Sequence, residues 1–199
     1  MQNLAIFGGS FNPVHNGHLT LAKNFTNRLQ ADKTLIIPSN TPPHKSADEL
    51  ASAAARLEMC RLAVSGLPGF EVSDIEINRQ GRSYTVDTLR QLRGIYPCSR
   101  LFLIVGADML LTLHLWKDYR DILDMAVVCA APRNRQLADQ LFEYAKTRLP
   151  KTAQVIIESF PPVIVSSTEI RERIKKDLDV SHMLPTKVQE YIECSGLYK

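Results

Sequence analysis

The stretch Gly8-Gly9-Ser10-Phe11-Asn12-Pro13-Val14-His15-Asn16-Gly17-His18 constrains this chain more than any other part of it. It follows a short apolar run, Leu4-Ala5-Ile6-Phe7, which reads as a first buried strand. It leads into Leu19-Thr20-Leu21-Ala22-Lys23-Asn24-Phe25, whose apolar residues recur at helical spacing. The pattern predicts a strand, a glycine-rich turn and a helix start, with His15 and His18 at the junction. Gly8 and Gly9 let a ligand approach the backbone closely. Asn16 is the expected N-cap. Free amides at a helix start, with the helix dipole behind them, attract an anion, and an imidazole placed there can donate to a phosphate. Two histidines without a third ligand make a poor zinc site.

The rest of the chain repeats this alternation. Thr34-Leu35-Ile36-Ile37-Pro38 reads as a second buried strand, followed from Ser39 to Ser46 by a polar loop with Pro42, Pro43, His44 and Lys45. Ala47 to Leu67 is alanine-rich and helical, with Leu57, Cys60, Leu62 and Val64 as expected core contacts. Phe70 to Ile77 alternates apolar and polar residues, as a strand with one wetter face does. A helix through Val86, Leu89 and Leu92 follows, with Ser83 or Thr85 as its cap. Leu101 to Val105 is the strongest buried strand, with Gly106-Ala107-Asp108 at its end; Asp108 suits a cap or a ligand contact. The polar neighbours of Trp116 imply a partly exposed ring. Ala126 to Ala130 is another strand, ending in Pro132-Arg133; Leu137 to Leu149 is an exposed amphipathic helix, and Val155 to Ile157 a further strand. Ser166 and Glu169 fit a capping box. Arg171 then lies near the positive end of its helix, an unfavourable place for a cation unless a bound phosphate offsets it. Pro185 opens a last helix, Lys187 to Cys194, and Gly196 stops it.

Strands alternating with helices, without repeats or linkers, predict one α/β domain over residues 1–199. The expected fold is a Rossmann-like, doubly wound, mostly parallel sheet with helices on both faces. The C-terminal helices, from about residue 166, are expected to pack on the sheet and close the ligand site. A net charge of +3 is too weak to argue for nucleic acid but suits a small polyanion. Cys60, Cys98, Cys129 and Cys194 have no metal or framework spacing and read as reduced thiols of a cytoplasmic protein. No basic leader precedes an apolar run, and no run approaches the ~20 residues a membrane span needs.

Several stretches, taken in order, resemble one family. Gly9, Phe11, Pro13, His15, Gly17 and His18 match the G-x-F-x-P-x-H-x-G-H signature of the adenylyltransferase-type nucleotidyltransferase superfamily. Thr41-Pro42-Pro43-His44-Lys45, Ser83-Tyr84-Thr85, Gly106-Ala107-Asp108 with Trp116, and Ser166-Ser167-Thr168 with Arg171 are similar to nicotinate-nucleotide adenylyltransferases. The resemblance implies transfer of the adenylyl group of ATP, with Mg2+, to nicotinate mononucleotide in NAD biosynthesis. It implies that His15 and His18 contact ATP phosphates, with His18 the main transition-state stabiliser and Arg171 a further catalytic group. On the ATP side it places Gly8, Gly9, Ser10, Lys45, Gly106, Asp108, Arg133, Ser167 and Thr168; around the mononucleotide it places Asn40, Lys45, Tyr84, Thr85, Trp116 and Lys117. The metal is expected on substrate phosphates and water, with no protein side chain as ligand. The expected partners are these two nucleotides, without nucleic acid or membrane, for a monomer or small homo-oligomer. The rival readings are another acceptor, nicotinamide mononucleotide or phosphopantetheine, and a non-catalytic nucleotide sensor.

Overall fold

The computed structural model describes residues 2–40, 50–79, 81–161 and 163–199. Among them, six strands form one parallel sheet in the order β3-β2-β1-β4-β5-β6. The strands are β1 (Asn3–Gly9), β2 (Lys33–Pro38), β3 (Phe70–Val72), β4 (Arg100–Gly106), β5 (Ala126–Ala131) and β6 (Val155–Ile157). The helices are α1 (Asn16–Arg28), α2 (Ala53–Val64), α3 (Thr85–Ile95), α4 (Ala107–Leu111), α5 (Tyr119–Met125), α6 (Arg135–Arg148), α7 (Ser167–Lys175) and α8 (Thr186–Ser195). This is the expected doubly wound α/β architecture.

Successive side chains of a strand point to opposite faces, so each central strand feeds two cores. Ala5, Phe7, Phe102, Ile104, Val127 and Cys129 face α1, α2 and the C-terminal helices, where they meet Phe25, Met59, Ile170, Val188 and Ile192. Leu4, Ile6, Leu101, Leu103, Val128 and Ala130 face the other way, against Leu89 and Leu92 of α3, Leu110, Ile122 and Leu141. Burial on both faces explains why β1, β4 and β5 read as continuous apolar runs. The strand order reverses between β1 and β4, whose carboxyl ends are Gly9 and Gly106. A doubly wound sheet opens a ligand crevice at that point.

Some boundaries differ from the sequence reading. β3 stops at Val72, and the chain then turns through Asp74–Asn78, whose ends share a 2.9 Å backbone hydrogen bond. The alternation read over Phe70–Ile77 is therefore strand plus turn. α2 begins at Ala53 behind the Ser52 cap; of the expected contacts Cys60 and Val64 are buried, Leu57 and Leu62 half-buried, and Met59 and Arg56 take the inner positions. Residues 47–49 of that expected helix lie outside the described residues.

Phe25 is fully buried and meets the Phe160 ring edge-on at 5.0 Å. Phe25→Ala should destabilise the protein by about 3–5 kcal/mol, the usual cost of emptying such a site, as read by denaturant unfolding.

Candidate active site

A cavity of about 660 Å3 opens over the carboxyl ends of β1 and β4. That volume lies in the ordinary range for small-molecule sites. The glycine turn and α1 form one wall, the start of α3 and the Trp116 segment another, and the start of α7 a third.

The α1 start is built differently from the expected Asn16 cap. His15 is the N-cap, in extended backbone, and Asn16 is the first helical residue, its side-chain amide donating to the His182 carbonyl at 3.1 Å. His15 Nδ1 accepts from the His18 amide, and His18 Nδ1 accepts from the His15 amide, each at 3.3 Å. This is a capping box made of two imidazoles. The rings stack at 3.6 Å between centroids and 20° between planes. Because both Nδ1 atoms accept, a neutral ring carries its proton on Nε2. The buried His15 ring thus offers an Nε2–H donor in its neutral form. Burial, and then the Arg133 charge, push the His15 imidazolium down to about 4. A Cβ on Gly17 would come within 3.1 Å of His15 Nδ1, so glycine here keeps the stack intact.

The turn preceding α1 is held from outside. Ser10 carbonyl accepts from Arg56 Nη1 at 3.0 Å, Asn12 carbonyl from Arg171 Nη1 at 2.8 Å, and Pro13 carbonyl from Ser167 Oγ at 2.9 Å. Asn12 Oδ1 accepts from the Ala51 amide and the Tyr198 hydroxyl. Ser166 caps α7 by accepting from the Glu169 amide at 3.1 Å. The cation at Arg171 therefore has a carbonyl partner within the protein, which the sequence did not show.

At the far end, α3 starts without a side-chain cap: Tyr84 is its N-cap, and neither Ser83 nor Thr85 plays that part. Ser83 Oγ instead accepts from the Asn40 amide at 3.2 Å. The α3 start therefore presents amide donors and a positive dipole end to the cavity. Lys117 Nζ is held 3.2 Å from Asp87 Oδ2 and 4.7 Å from the Tyr84 ring centre. Likewise Gly106 rather than Asp108 stands at the α4 cap, and the Asp108 side chain caps nothing.

Of the residues singled out in the sequence, Gly8, Gly9, Ser10, His15 and His18 line one side of the cavity; Gly106, Asp108 and Arg133 line its floor and edge. Ser167 and Thr168 line the α7 side, and Tyr84, Thr85, Trp116 and Lys117 the α3 side. Trp116 is half-buried, as its neighbours implied. Asn40 and Arg171 are not on the wall; they stand behind it, on Ser83 and Asn12. Lys45 and the rest of Thr41–Lys45 lie outside the described residues. Ser39, at the start of the loop that its place after a strand marks as a ligand loop, and Glu76 are polar lining residues without an individual role in the sequence reading. Ser39 has a buried hydroxyl with no hydrogen-bond partner among the described residues, and it lines the cavity. Glu76 also lines it, buried, with its carboxylate accepting from Thr88 Oγ1 at 2.7 Å; burial raises its pKa. Glu76 follows from no local pattern, because the turn after β3 brings it inward; the position of Ser39 at a strand's carboxyl end was the available signal.

A doubly wound sheet with paired imidazoles and two helix starts around one crevice defines a nucleotide-binding α/β protein of the nucleotidyltransferase kind. The cytidylyltransferase-like family model matches residues 6–173. A protein of Clostridium tetani described as probable nicotinate-nucleotide adenylyltransferase is 38% identical over 200 residues, covering 100% of both chains. One of Carboxydothermus hydrogenoformans with the same description is 38% identical over 199 residues, covering 98% of each. The structure of Plasmodium falciparum nicotinic acid mononucleotide adenylyltransferase complexed with NaAD shares the fold, with a TM-score of 0.82 at 17% identity over 100% of this chain and 98% of that one. The chain belongs to the nicotinate-nucleotide adenylyltransferase family, within the cytidylyltransferase-like proteins.

The depressed His15 pKa links stability to pH. A buried neutral imidazole favours folding fully above its unfolded pKa of 6.5, and this is lost as pH falls through 6.5 towards about 4. The loss is on the order of 2–3 kcal/mol across that window. His15→Asn keeps a capping oxygen but does not titrate. Chemical unfolding at pH 7 and pH 4.5 should show a smaller acid loss in His15→Asn than in the parent; equal losses would place the linkage elsewhere.

Proposed function

We propose that the protein transfers the adenylyl group of Mg2+-bound ATP to nicotinate mononucleotide, giving nicotinate adenine dinucleotide and pyrophosphate. The observation that carries the reading is the reciprocal His15–His18 cap, which fixes both imidazoles at the α1 start on the cavity wall, where a triphosphate would lie. The mononucleotide phosphate oxygen attacks the α-phosphorus of ATP. As that bond forms, the bond from the α-phosphorus to the bridging oxygen of the β-phosphate breaks, and pyrophosphate leaves with the electron pair. The attacking group is already an anion, so no protein nucleophile is needed. Catalysis is positioning and charge stabilisation.

In this reading the amides of the glycine turn, His15, His18, and the α7 start with Ser167 and Thr168 hold the triphosphate. Arg171 braces the cradle from behind, donating through Nη1 to the Asn12 carbonyl and through Nη2 to Thr168 Oγ1. Gly106, Asp108 and Arg133 border the ATP side, and Lys45 belongs to the phosphate contacts. The C-terminal segment from α7 onward closes the ATP side. Among the described residues no three His, Cys, Asp or Glu side chains converge on a metal position. Magnesium would be held mainly by the substrate's phosphate oxygens and water, its usual mode in nucleotide sites, and would offset phosphate charge there. Four unpaired cysteines suit a reducing cytoplasm. No helix among the described residues is long and apolar enough to cross a membrane.

The acid is preferred over the amide as acceptor because the α3 start offers donors and a positive dipole end at Tyr84–Thr85. A carboxylate only accepts, whereas a carboxamide also needs acceptors for two N–H groups. Among the described residues Glu76 is the one cavity-wall carboxylate at this end, and it already accepts from Thr88. Trp116 stacks on the pyridine ring.

Incubation with Mg2+-ATP and each mononucleotide, with chromatography of products, tests the assignment. Nicotinate adenine dinucleotide and pyrophosphate should form in equal amounts. The acid should exceed the amide by roughly 10²-fold in kcat/KM, given about 1–3 kcal/mol for each mispaired polar group. Trp116→Ala should weaken both acceptors alike. Equal values for acid and amide would instead make this a dual-specificity enzyme, and no product with either would leave a nucleotide sensor.

His18→Ala should lower kcat by about 10²–10³-fold, the scale for removing one positioned donor. The Kd for ATP should change far less. Near-normal turnover would remove His18 from the transition state.

A further inference from the structure

The longest side chain in the core is that of Arg56, which is 1% exposed. It sits in the first turn of α2, among Ala55, Met59 and Cys60, where packing alone calls for an apolar residue. A buried charge is costly unless it is paired and hydrogen-bonded. Among the described residues no carboxylate pairs with it. Its partners are four backbone carbonyls: Nε donates to Ala51 at 3.0 Å, Nη1 to Ser10 at 3.0 Å and Ser39 at 2.6 Å, and Nη2 to Asn40 at 2.8 Å.

Those carbonyls come from different parts of the site. Ser10 belongs to the glycine turn beside the paired histidines. Ser39 and Asn40 follow β2, and the Asn40 amide donates to Ser83 Oγ in front of α3. Ser39, whose buried hydroxyl has no hydrogen-bond partner among the described residues, lines the same cavity. Arg56 itself does not line the cavity. One rigid guanidinium plane thus joins the turn that receives the triphosphate to the segment that leads to the mononucleotide end.

We propose that Arg56 is a positioning residue that couples the two nucleotide half-sites, holding the Ser10 turn and the Ser39–Asn40 segment in one fixed relation. The requirement is for the planar fork. A Lys ammonium keeps the charge but has three donors on a point, and cannot reach carbonyls of three segments at once. In-line transfer needs the donor and acceptor phosphates aligned, so a small relative shift of the two half-sites harms both substrates together.

The inference rests on the adenylyl-transfer reading for its kinetic readout, so binding is measured separately. Parent, Arg56→Lys and Arg56→Met are compared by calorimetry with a non-hydrolysable ATP analogue and with nicotinate mononucleotide, and by steady-state kinetics per folded molecule. If the parent binds both nucleotides but yields no product, the proposed reaction fails while the binding comparison still decides the role of Arg56. In Arg56→Lys, kcat/KM should fall about tenfold or more for ATP and for the mononucleotide, and both Kd values should rise. Both values within twofold of the parent, a loss confined to one nucleotide, or a lower thermal midpoint with unchanged Kd and KM would each overturn the proposal. Should the variants not fold, amide hydrogen exchange of the parent decides. The ATP analogue alone should slow exchange at Ser39–Asn40, and the mononucleotide alone at Ser10–Phe11. Absence of this cross-protection also overturns it.

Discussion

A buried turn must find partners for every inward-facing polar group, and the turn from Ser10 to Pro13 cannot find them locally. Asn12 is 1% exposed, and its side chain and carbonyl are all engaged by residues far along the chain. Each of these groups would cost about 1–3 kcal/mol if left unpaired. The turn is therefore stable only when α2, α7 and Tyr198 are docked around it. In return, those elements acquire a fixed polar anchor in addition to the apolar packing of Ile170, Val188 and Ile192. Docking of α7 and Tyr198 and the shape of the glycine turn are therefore coupled.

The same frame decides the electrostatics. A site for a polyanion gains from positive charge, but free cations in a small crevice repel one another and draw in water. The protein uses fixed dipoles in the first rank. The amides of the turn and of the helix starts, with two imidazoles that cap each other's backbone, present donors fixed in place. The guanidinium groups of Arg56 and Arg171 stand behind, spent on carbonyls of the turn. Such donors do not have to reorganise as charge shifts from the α-phosphate to pyrophosphate, and this is what lowers a barrier dominated by charge movement.

Much of this was legible because the decisive stretch is local. The buried runs at Leu4–Phe7, Leu101–Val105 and Ala126–Ala130, the glycine turn and the helical spacing after His18 lead directly to strand, turn and helix. What was not legible came from partners distant in sequence. Asn16 is the better capping residue in isolation, but its side chain is drawn to the His182 carbonyl and the imidazoles cap each other. Ser83 is a good cap by type, yet Asn40 claims its hydroxyl. Arg56 lies on the inner face of α2 by simple periodicity, where a charged residue contradicts the pattern. That contradiction is the signal, and only the carbonyls of Ser10, Ser39 and Asn40 give it meaning.

The two ends of the cavity are held by different kinds of interaction, and this bears on how the site works. The glycine-turn end rests on hydrogen bonds that are partly buried. The Trp116 segment is seated on buried Leu113 and Ile122, and exposed charges tie its outer face: Arg90 reaches Asp87, Asp118 and Asp121, and Lys117 reaches Asp87. Exposed pairs contribute little stability each and are screened by salt. Asp118 also adopts a left-handed conformation, φ 48°, at the start of α5. Those outer pairs rearrange at little cost, whereas the hydrogen bonds around Asn12 do not. Under the proposed reaction a fixed triphosphate cradle then faces a wall whose outer charges adjust, and the mononucleotide, whose ribose carries the attacking phosphate, is aligned to that cradle.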